Sequence, residues 1–270
     1  MKNIALHIYS AISASWMVLN LSLWLIPFSI VAICKLLLSP FFNLWQRAIS
    51  FCYHGAARLN SFWMLYVVRI RIIIDGDIGQ HPSPVVISNH QSWCDIPVLH
   101  HVITDHGPII KFLIKRQLIW VPVVGWLCWL LDFPRLYRGK GSESRKKDYA
   151  AIRRISERSS TDPGAILIFA EGTRFNETKR IDQNSRFKHL LNPKMGGIRI
   201  LNEAMHPDTP IIDVTIVYVG GNSKFWDCLH GATREIRVIV RQYRMGDIED
   251  LGSWINDRWQ EKERLLDANS

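Results

Sequence analysis

The sequence predicts an α/β fold in which helices flank a mostly buried central sheet, preceded by an N-terminal membrane-anchoring helical segment. Three observations carry that expectation. Residues 3–34 hold no formal charge, a stretch longer than the roughly 20 apolar residues that cross a bilayer as a helix. From residue 68 onward the hydrophobic period changes, and short apolar runs alternate with helical patterns, the order expected of a buried sheet covered by helices. The apolar fraction of 48% suits a chain that folds around a core.

Taken in order, residues 1–44 read as the anchor. Its greasiest part is 19–38, with Pro27 as an expected kink. One tilted span and a hairpin dipping into one leaflet both satisfy the pattern. A cleaved signal peptide would need a more basic start than Lys2 alone and a shorter apolar region. Residues 45–66 mix Trp, Phe and Tyr with Arg47, Arg58 and His54, which suits a helix in the membrane interface as well as a core helix. Residues 67–247 form the α/β domain. It opens on Val68-Arg69-Ile70-Arg71-Ile72, whose alternation predicts a half-buried strand running to the Asp75-Gly76-Asp77 turn. Further strands are expected at 85–88, 109–114, 132–137, 165–170, 211–219 and 235–243, and helices at 93–104, 144–158 and 196–204. A last helix, at 248–266, makes up a C-terminal segment 248–270. The patch 118–131 is too apolar for a solvent-facing helix and too short to cross a bilayer comfortably, which leaves a second membrane-contacting surface or a buried segment.

Charge narrows the partners. The chain has 33 basic and 24 acidic residues, and no Asp or Glu precedes Asp75. Between the early basic residues lie apolar and aromatic ones, so the basic excess points to membrane lipid and not to nucleic acid. In the single-span case, Lys35, Arg47 and Arg58 outweigh Lys2 and place the rest of the chain on the cytoplasmic side. The five cysteines are scattered without a C-x-x-C pair, so the spacing indicates neither a disulfide framework nor a zinc site.

Two blocks carry chemistry. Asn89-His90-Gln91-Ser92-Trp93-Cys94-Asp95 follows the strand at 85–88. Histidine exchanges protons near neutral pH, and a carboxylate on its second ring nitrogen fixes the tautomer and stabilises the imidazolium. Residues five apart on a continuous helix sit about 140° apart, so the pair meets only with His90 in the turn before a helix and Asp95 in its first turn. Strand exits of that kind are where α/β sheets bind ligands. The spacing alone is weak, since ten His and fifteen Asp in 270 residues predict about 0.6 chance occurrences. It does occur again, at His100 and Asp105, but late in the expected helix, where a surface or packing role fits better. The second block, Glu171-Gly172-Thr173-Arg174, follows the strand at 165–170. Glycine admits close backbone approach, Thr offers a hydroxyl, and Arg presents a fork matched to phosphate oxygens. A polar turn with a surface Arg is the bland alternative for this block in isolation. A given four-residue string is expected about 0.002 times in such a chain, which makes its coincidence with the first block informative.

Together the two blocks resemble the lysophosphatidic acid acyltransferase family, the 1-acylglycerol-3-phosphate O-acyltransferases, and bacterial inner-membrane members in particular. The resemblance runs from about Val85 to Tyr218. It implies that His90 and Asp95 are the catalytic dyad, with Asn89 opening their block, and that Glu171, Gly172, Thr173 and Arg174 bind the acceptor phosphate. It further implies that Lys115 belongs to the phosphate site, followed by Val121-Pro122-Val123-Val124-Gly125. The family's F-x-x-R block corresponds to Phe133-Pro134-Arg135-Leu136-Tyr137-Arg138, leaving Arg135 and Arg138 as rivals for its basic position, and its Pro-rich strand start is reduced to Pro210.

The implied reaction needs no cofactor and no metal. His90 would take the proton of a lysophospholipid hydroxyl as that hydroxyl attacks an acyl thioester of coenzyme A or acyl carrier protein. Such an enzyme would reside in the bacterial inner membrane with its catalytic domain facing the cytoplasm. Three rivals stand beside this reading: an acyltransferase for another lysophospholipid, a metal-dependent phosphodiesterase built on His90, Asp95 and Glu171, and a non-catalytic membrane lipid-binding protein.

Overall fold

The structure, a computed structural model, describes residues 2–37, 42–105, 107–115, 120–121, 124–131, 133–136, 141–158 and 163–269. The chain opens with a helical hairpin. α1 (Lys2–Leu37) runs through Pro27 as one helix, and α2 (Phe42–Phe62) packs back along it before ending in a π turn, Trp63–Val67. So the boundary expected at 44/45 falls inside the start of α2.

The strands follow as β1 (Arg71–Asp75), β2 (Val85–Ser88), β3 (Ile110–Phe112), β4 (Ile114–Lys115), β5 (Arg135–Leu136), β6 (Ala165–Phe169), β7 (Pro210–Tyr218) and β8 (Glu235–Arg244). Six of them form one mixed sheet in the order β1-β8-β7-β2-β6-β3, in which β7 and β8 are antiparallel and every other neighbouring pair is parallel. β4 and β5 make a separate parallel pair. β2 and β6 are short apolar runs because both faces of the sheet are covered there.

Alternation sorts each strand between two cores. Val86 and Leu167 join Val98, Leu99, Val102 and Ile103 from α3 (Asp95–Leu99) and the π-helical segment after it, His100–Thr104. Val85, Ile87, Ile166 and Ile168 face the opposite way, toward Ile152 of α5 (Ser142–Glu157), Ile198 and Leu201 of α7 (Met195–Ala204), and Trp259 of α9 (Leu251–Asp267). α9 is thus part of the domain core, and no structural boundary separates it at 247/248.

Two expected strands shift, one open segment is resolved into a helix, and two short helices are added. The alternating run from 68 begins as a strand only at Arg71, because Arg69 takes a left-handed conformation (φ 63°) that breaks extended geometry. The run 109–114 divides at Leu113, whose N–H still bonds Leu167 O while Ile114 turns to the second sheet. The 118–131 patch contains α4 (Val124–Leu130), which buries Cys128 against the hairpin, while Trp126 of α4 and Trp120 before it are exposed. Short helices α6 (Glu177–Asp182) and α8 (Phe225–Cys228) have too few residues to show a helical period.

Candidate active site

β2 ends at Ser88 and the chain turns, so Asn89 to Cys94 form the loop between strand and helix, and Asp95 is the first residue of α3. The loop is fixed from β7. Asn89 donates from Nδ2 to Ile216 O at 2.9 Å and accepts from Ile216 N–H at 2.8 Å, prolonging the β2–β7 ladder with a side chain. His90 Nδ1 then lies 2.7 Å from Asp95 Oδ2, which also accepts the N–H groups of Gln91 (2.7 Å) and Ser92 (2.9 Å). Asp95 Oδ1 accepts the hydroxyl of Tyr218 at 2.6 Å. Four hydrogen bonds therefore hold a carboxylate with no exposed surface, the condition under which a buried charge is tolerated. Nε2 of His90 has no hydrogen-bond partner among the described residues, and the side chain keeps 11% of its surface exposed. Phe169 stacks on the imidazole at 3.8 Å between centroids, which fixes the ring plane.

The second block closes on the first. Glu171 is fully buried and accepts His90 N–H with Oε1 (2.8 Å) and Leu191 N–H with Oε2 (2.9 Å). Phe175 N–H donates to His90 O at 2.7 Å, so the 171–175 turn grips both backbone polar groups of His90. Gly172 makes the turn possible at φ 70°, a conformation that side-chain-bearing residues rarely adopt. A Cβ there would also meet Lys194 Cδ at 3.1 Å. Lys179 Nζ donates to Thr173 Oγ1 and to Arg174 O, each at 2.9 Å. The guanidinium of Arg174 lies over the indole of Trp93, 4.5 Å from the ring centroid, which places a half-buried cation beside the histidine loop. Burial pushes the Glu171 carboxyl up to about 8, opposed by the two backbone N–H groups.

The remaining site residues fall in different places. Phe133 is buried and reaches His90 through a row of rings: Phe133 to Phe112 at 6.0 Å, Phe112 to Phe169 at 6.3 Å, and Phe169 to the imidazole. Lys115 and Arg135 sit on the paired strands β4 and β5, but their side chains, like Arg138, lie outside the described residues. Pro210 starts β7 at the end away from the dyad, six residues and about 20 Å from the Ile216 that holds Asn89. At the repeated spacing, Asp105 pairs with His101 at 2.8 Å, leaving His100 between Tyr53 and Phe112. His100 Nε2 is buried without a partner among the described residues, and burial pulls that imidazole down to about 4.

Four contributors were not legible as site residues: Tyr218, Phe169, Lys179 and Trp93. Tyr218 left one trace, since a tyrosine closing an apolar strand needs a partner for its hydroxyl.

Fold and site together define an α/β protein with a strand-end His–Asp pair buttressed by a glycine turn bearing an arginine. An acyltransferase family model matches residues 69–218, more than half of the chain, and the chain belongs to that family. Among its relatives, 1-acyl-sn-glycerol-3-phosphate acyltransferase epsilon of Mus musculus is 24% identical, over 83% of this chain and 68% of that protein. Lysocardiolipin acyltransferase 1 of Mus musculus is 26% identical (84% and 65%), and 1-acyl-sn-glycerol-3-phosphate acyltransferase gamma of Homo sapiens 28% identical (57% and 44%). The chain thus spans about half to two-thirds of the length of these relatives. The crystal structure of the 1-acyl-sn-glycerophosphate (LPA) acyltransferase PlsC from Thermotoga maritima shares the fold, with a TM-score of 0.61 at 15% identity over 99% of this chain and 95% of that one.

Proposed function

We propose that this protein transfers an acyl chain from acyl-CoA or acyl carrier protein to the free hydroxyl of 1-acylglycerol-3-phosphate, giving phosphatidic acid. One observation carries the reading: the 171–175 turn holds both backbone groups of His90 while its Arg174 stacks on Trp93 of the histidine loop. Base and cation are therefore one rigid unit, as required when a phosphate is used to position a neighbouring hydroxyl. His90 Nε2 takes the hydroxyl proton as the oxygen attacks the thioester carbonyl, Asp95 stabilises the imidazolium, and the tetrahedral intermediate expels a thiolate that receives the proton back. Within the second block the phosphate contacts belong to Arg174, Thr173 and the Gly172 backbone, with Lys115 and one of Arg135 and Arg138 as further cations. Glu171, with both oxygens occupied by N–H groups, positions His90 instead. The same occupancy speaks against a phosphodiesterase in which Glu171 would be a metal ligand.

The membrane is part of this reading. α1 is long and apolar enough over Ile4–Cys34 to cross a bilayer, and Ile8, Ile12, Leu19, Leu23, Ile26 and Ile30 are exposed along it. Its polar positions bind the rest of the chain: His7 accepts from Trp226 of α8, Ser10 donates to Trp226 O, Asn20 donates to Ala56 O of α2, and Ser29 accepts from Trp126 of α4. From His7 to Ser29 is about 33 Å of helix, the thickness of a hydrocarbon core. Because α8 and α4 belong to one domain, the contacts favour α1 lying along that domain in one leaflet over α1 crossing away from it. The cytoplasmic face of a bacterial inner membrane is the placement proposed.

Purified protein supplied with lysophosphatidic acid and other lysophospholipids, and with acyl-CoA or acyl carrier protein, should release thiol fastest with the phosphate monoester. Faster turnover of another lysophospholipid would replace the acceptor, and no thiol release with any pair would leave the lipid-binding alternative. Sodium carbonate washing should leave the protein in the membrane pellet; its release would refute the embedded hairpin.

A further inference from the structure

We propose that Tyr218 is a positioning residue of the His90–Asp95 pair, a third member whose hydroxyl sets how strongly Asp95 draws the proton of His90. The assignment rests on the acyltransferase reading, since it concerns the base of that reaction. Tyr218 closes β7, with its ring in the core beside Val98 and Cys228 and its hydroxyl donating to Asp95 Oδ1 at 2.6 Å. The division of labour on the carboxylate is unequal. Oδ2 takes His90 and two backbone N–H groups, whereas Oδ1 has Tyr218 alone among the described residues. Removing that hydroxyl strands one oxygen of a buried carboxylate, while the three donors on Oδ2 remain.

The other titratable groups around Asp95 do not replace the donor. Cys94 precedes it on the same turn, Cys228 faces it from α8, and Glu171 approaches from the end of β6, with both its oxygens engaged elsewhere. Burial, reinforced by the neighbouring carboxylate, raises the Tyr218 phenol well above its ordinary value, so it remains a donor throughout the working pH range. A short hydrogen bond to a carboxylate delocalises its charge and weakens its pull on a proton held by a third group. Losing the bond concentrates charge on Asp95, favours the imidazolium and makes His90 harder to deprotonate at a given pH.

The test is a pair of variants that move the bond in opposite directions. Tyr218→Phe removes the donor and keeps the ring; 3-fluorotyrosine placed at position 218 keeps the fold-determining shape and makes the phenol a stronger donor. Lysophosphatidic acid and acyl-CoA serve as substrates, with rates taken across pH. The Phe variant should lower kcat about tenfold, leave KM for both substrates near wild type, and move the acid limb of kcat/KM up by about half a unit or more. The fluorinated protein should move that limb down. Should the Phe variant fail to fold, the fluorinated protein decides alone. Acid limbs that stay in place in an active enzyme overturn the Tyr218 assignment and nothing else. A wild type inactive with every acceptor and donor overturns the acyltransferase reading first, and the assignment with it.

Discussion

Glu171 offers the most direct probe of how the two sequence blocks are joined, because each of its oxygens accepts one backbone N–H, from His90 and from Leu191. Glu171→Ala strands both donors in a fully buried place, and an unsatisfied buried donor costs about 1–3 kcal/mol, so about 2–6 kcal/mol of stability should be lost. Glu171→Gln keeps one acceptor oxygen, as the protonated carboxyl does, and should cost much less than the Ala variant below about pH 8. Burial adds a pH signature. A carboxyl pushed up to about 8 binds its proton more tightly in the folded state than in the unfolded chain, where the ordinary value is 4.5. Its stabilising contribution is therefore fully present below about 4.5 and is lost as pH rises through about 8. Denaturant unfolding in detergent micelles, repeated between pH 5 and 9, should show wild type losing stability across that window with a slope of up to about 1.4 kcal/mol per pH unit, flattened in Glu171→Gln. Activity should fall with stability, because the same contact fixes the His90 backbone. A Gln variant with wild-type stability, slope and kcat would refute the two-oxygen grip.

Two further outcomes separate site residues from their look-alikes. Arg174→Ala should lower kcat/KM for lysophosphatidic acid about 10-fold to 150-fold, the loss of one charged hydrogen bond, with Arg174→Lys only partly rescued because it lacks the planar fork; unchanged kcat/KM in the Ala variant would remove the phosphate clamp. His90→Ala should abolish thiol release in a protein that still folds, whereas His100→Ala, which empties a slot between Tyr53 and Phe112, should melt earlier yet keep its turnover per folded molecule; equal losses of turnover would refute the assignment of the base to His90.

What was legible in the sequence is what local pattern encodes. The runs at 85–88 and 165–170 are apolar on both faces and bounded by polar turns, so their strand character and burial followed directly. The five-residue spacing requires His90 before a helix and Asp95 in its first turn; the structure has that arrangement, with the helix starting at Asp95 and not at the expected Trp93. Illegible were contacts that depend on which strands become neighbours. Tyr218 lies 123 positions from Asp95, and Glu171 lies 81 from His90. Both pairings exist because β2 sits between β6 and β7, an order no local period encodes. Glu171 also shows how residue type misleads: a carboxylate in a ligand-binding string suggests a ligand contact, yet a buried turn needs an acceptor for N–H groups that strand pairing leaves over.

β7 links these remote contacts to the C-terminal helix. Along its buried length, Asp213 Oδ1 meets Lys262 of α9 at 2.6 Å, and the same ammonium donates to Val214 O at 2.7 Å. Two residues on, Ile216 clasps Asn89, and two beyond that Tyr218 holds Asp95. A second line leaves α9 from Trp259, whose Nε1 donates to Leu191 O at 3.0 Å, while Leu191 N–H donates to Glu171 and so bears on His90. Desolvation raises Asp213 and lowers Lys262, each opposed by the other's charge, so the pair contributes little net stability. Its consequence is geometric. An ammonium that must find one carboxylate and one carbonyl fixes α9 against β7 in a single register, which apolar side chains of similar volume would leave free to slide. That register sets both supports of the base at once, the carboxylate side through Tyr218 and the backbone side through Glu171. The C-terminal helix thus bears on both blocks, through β7 and through Leu191.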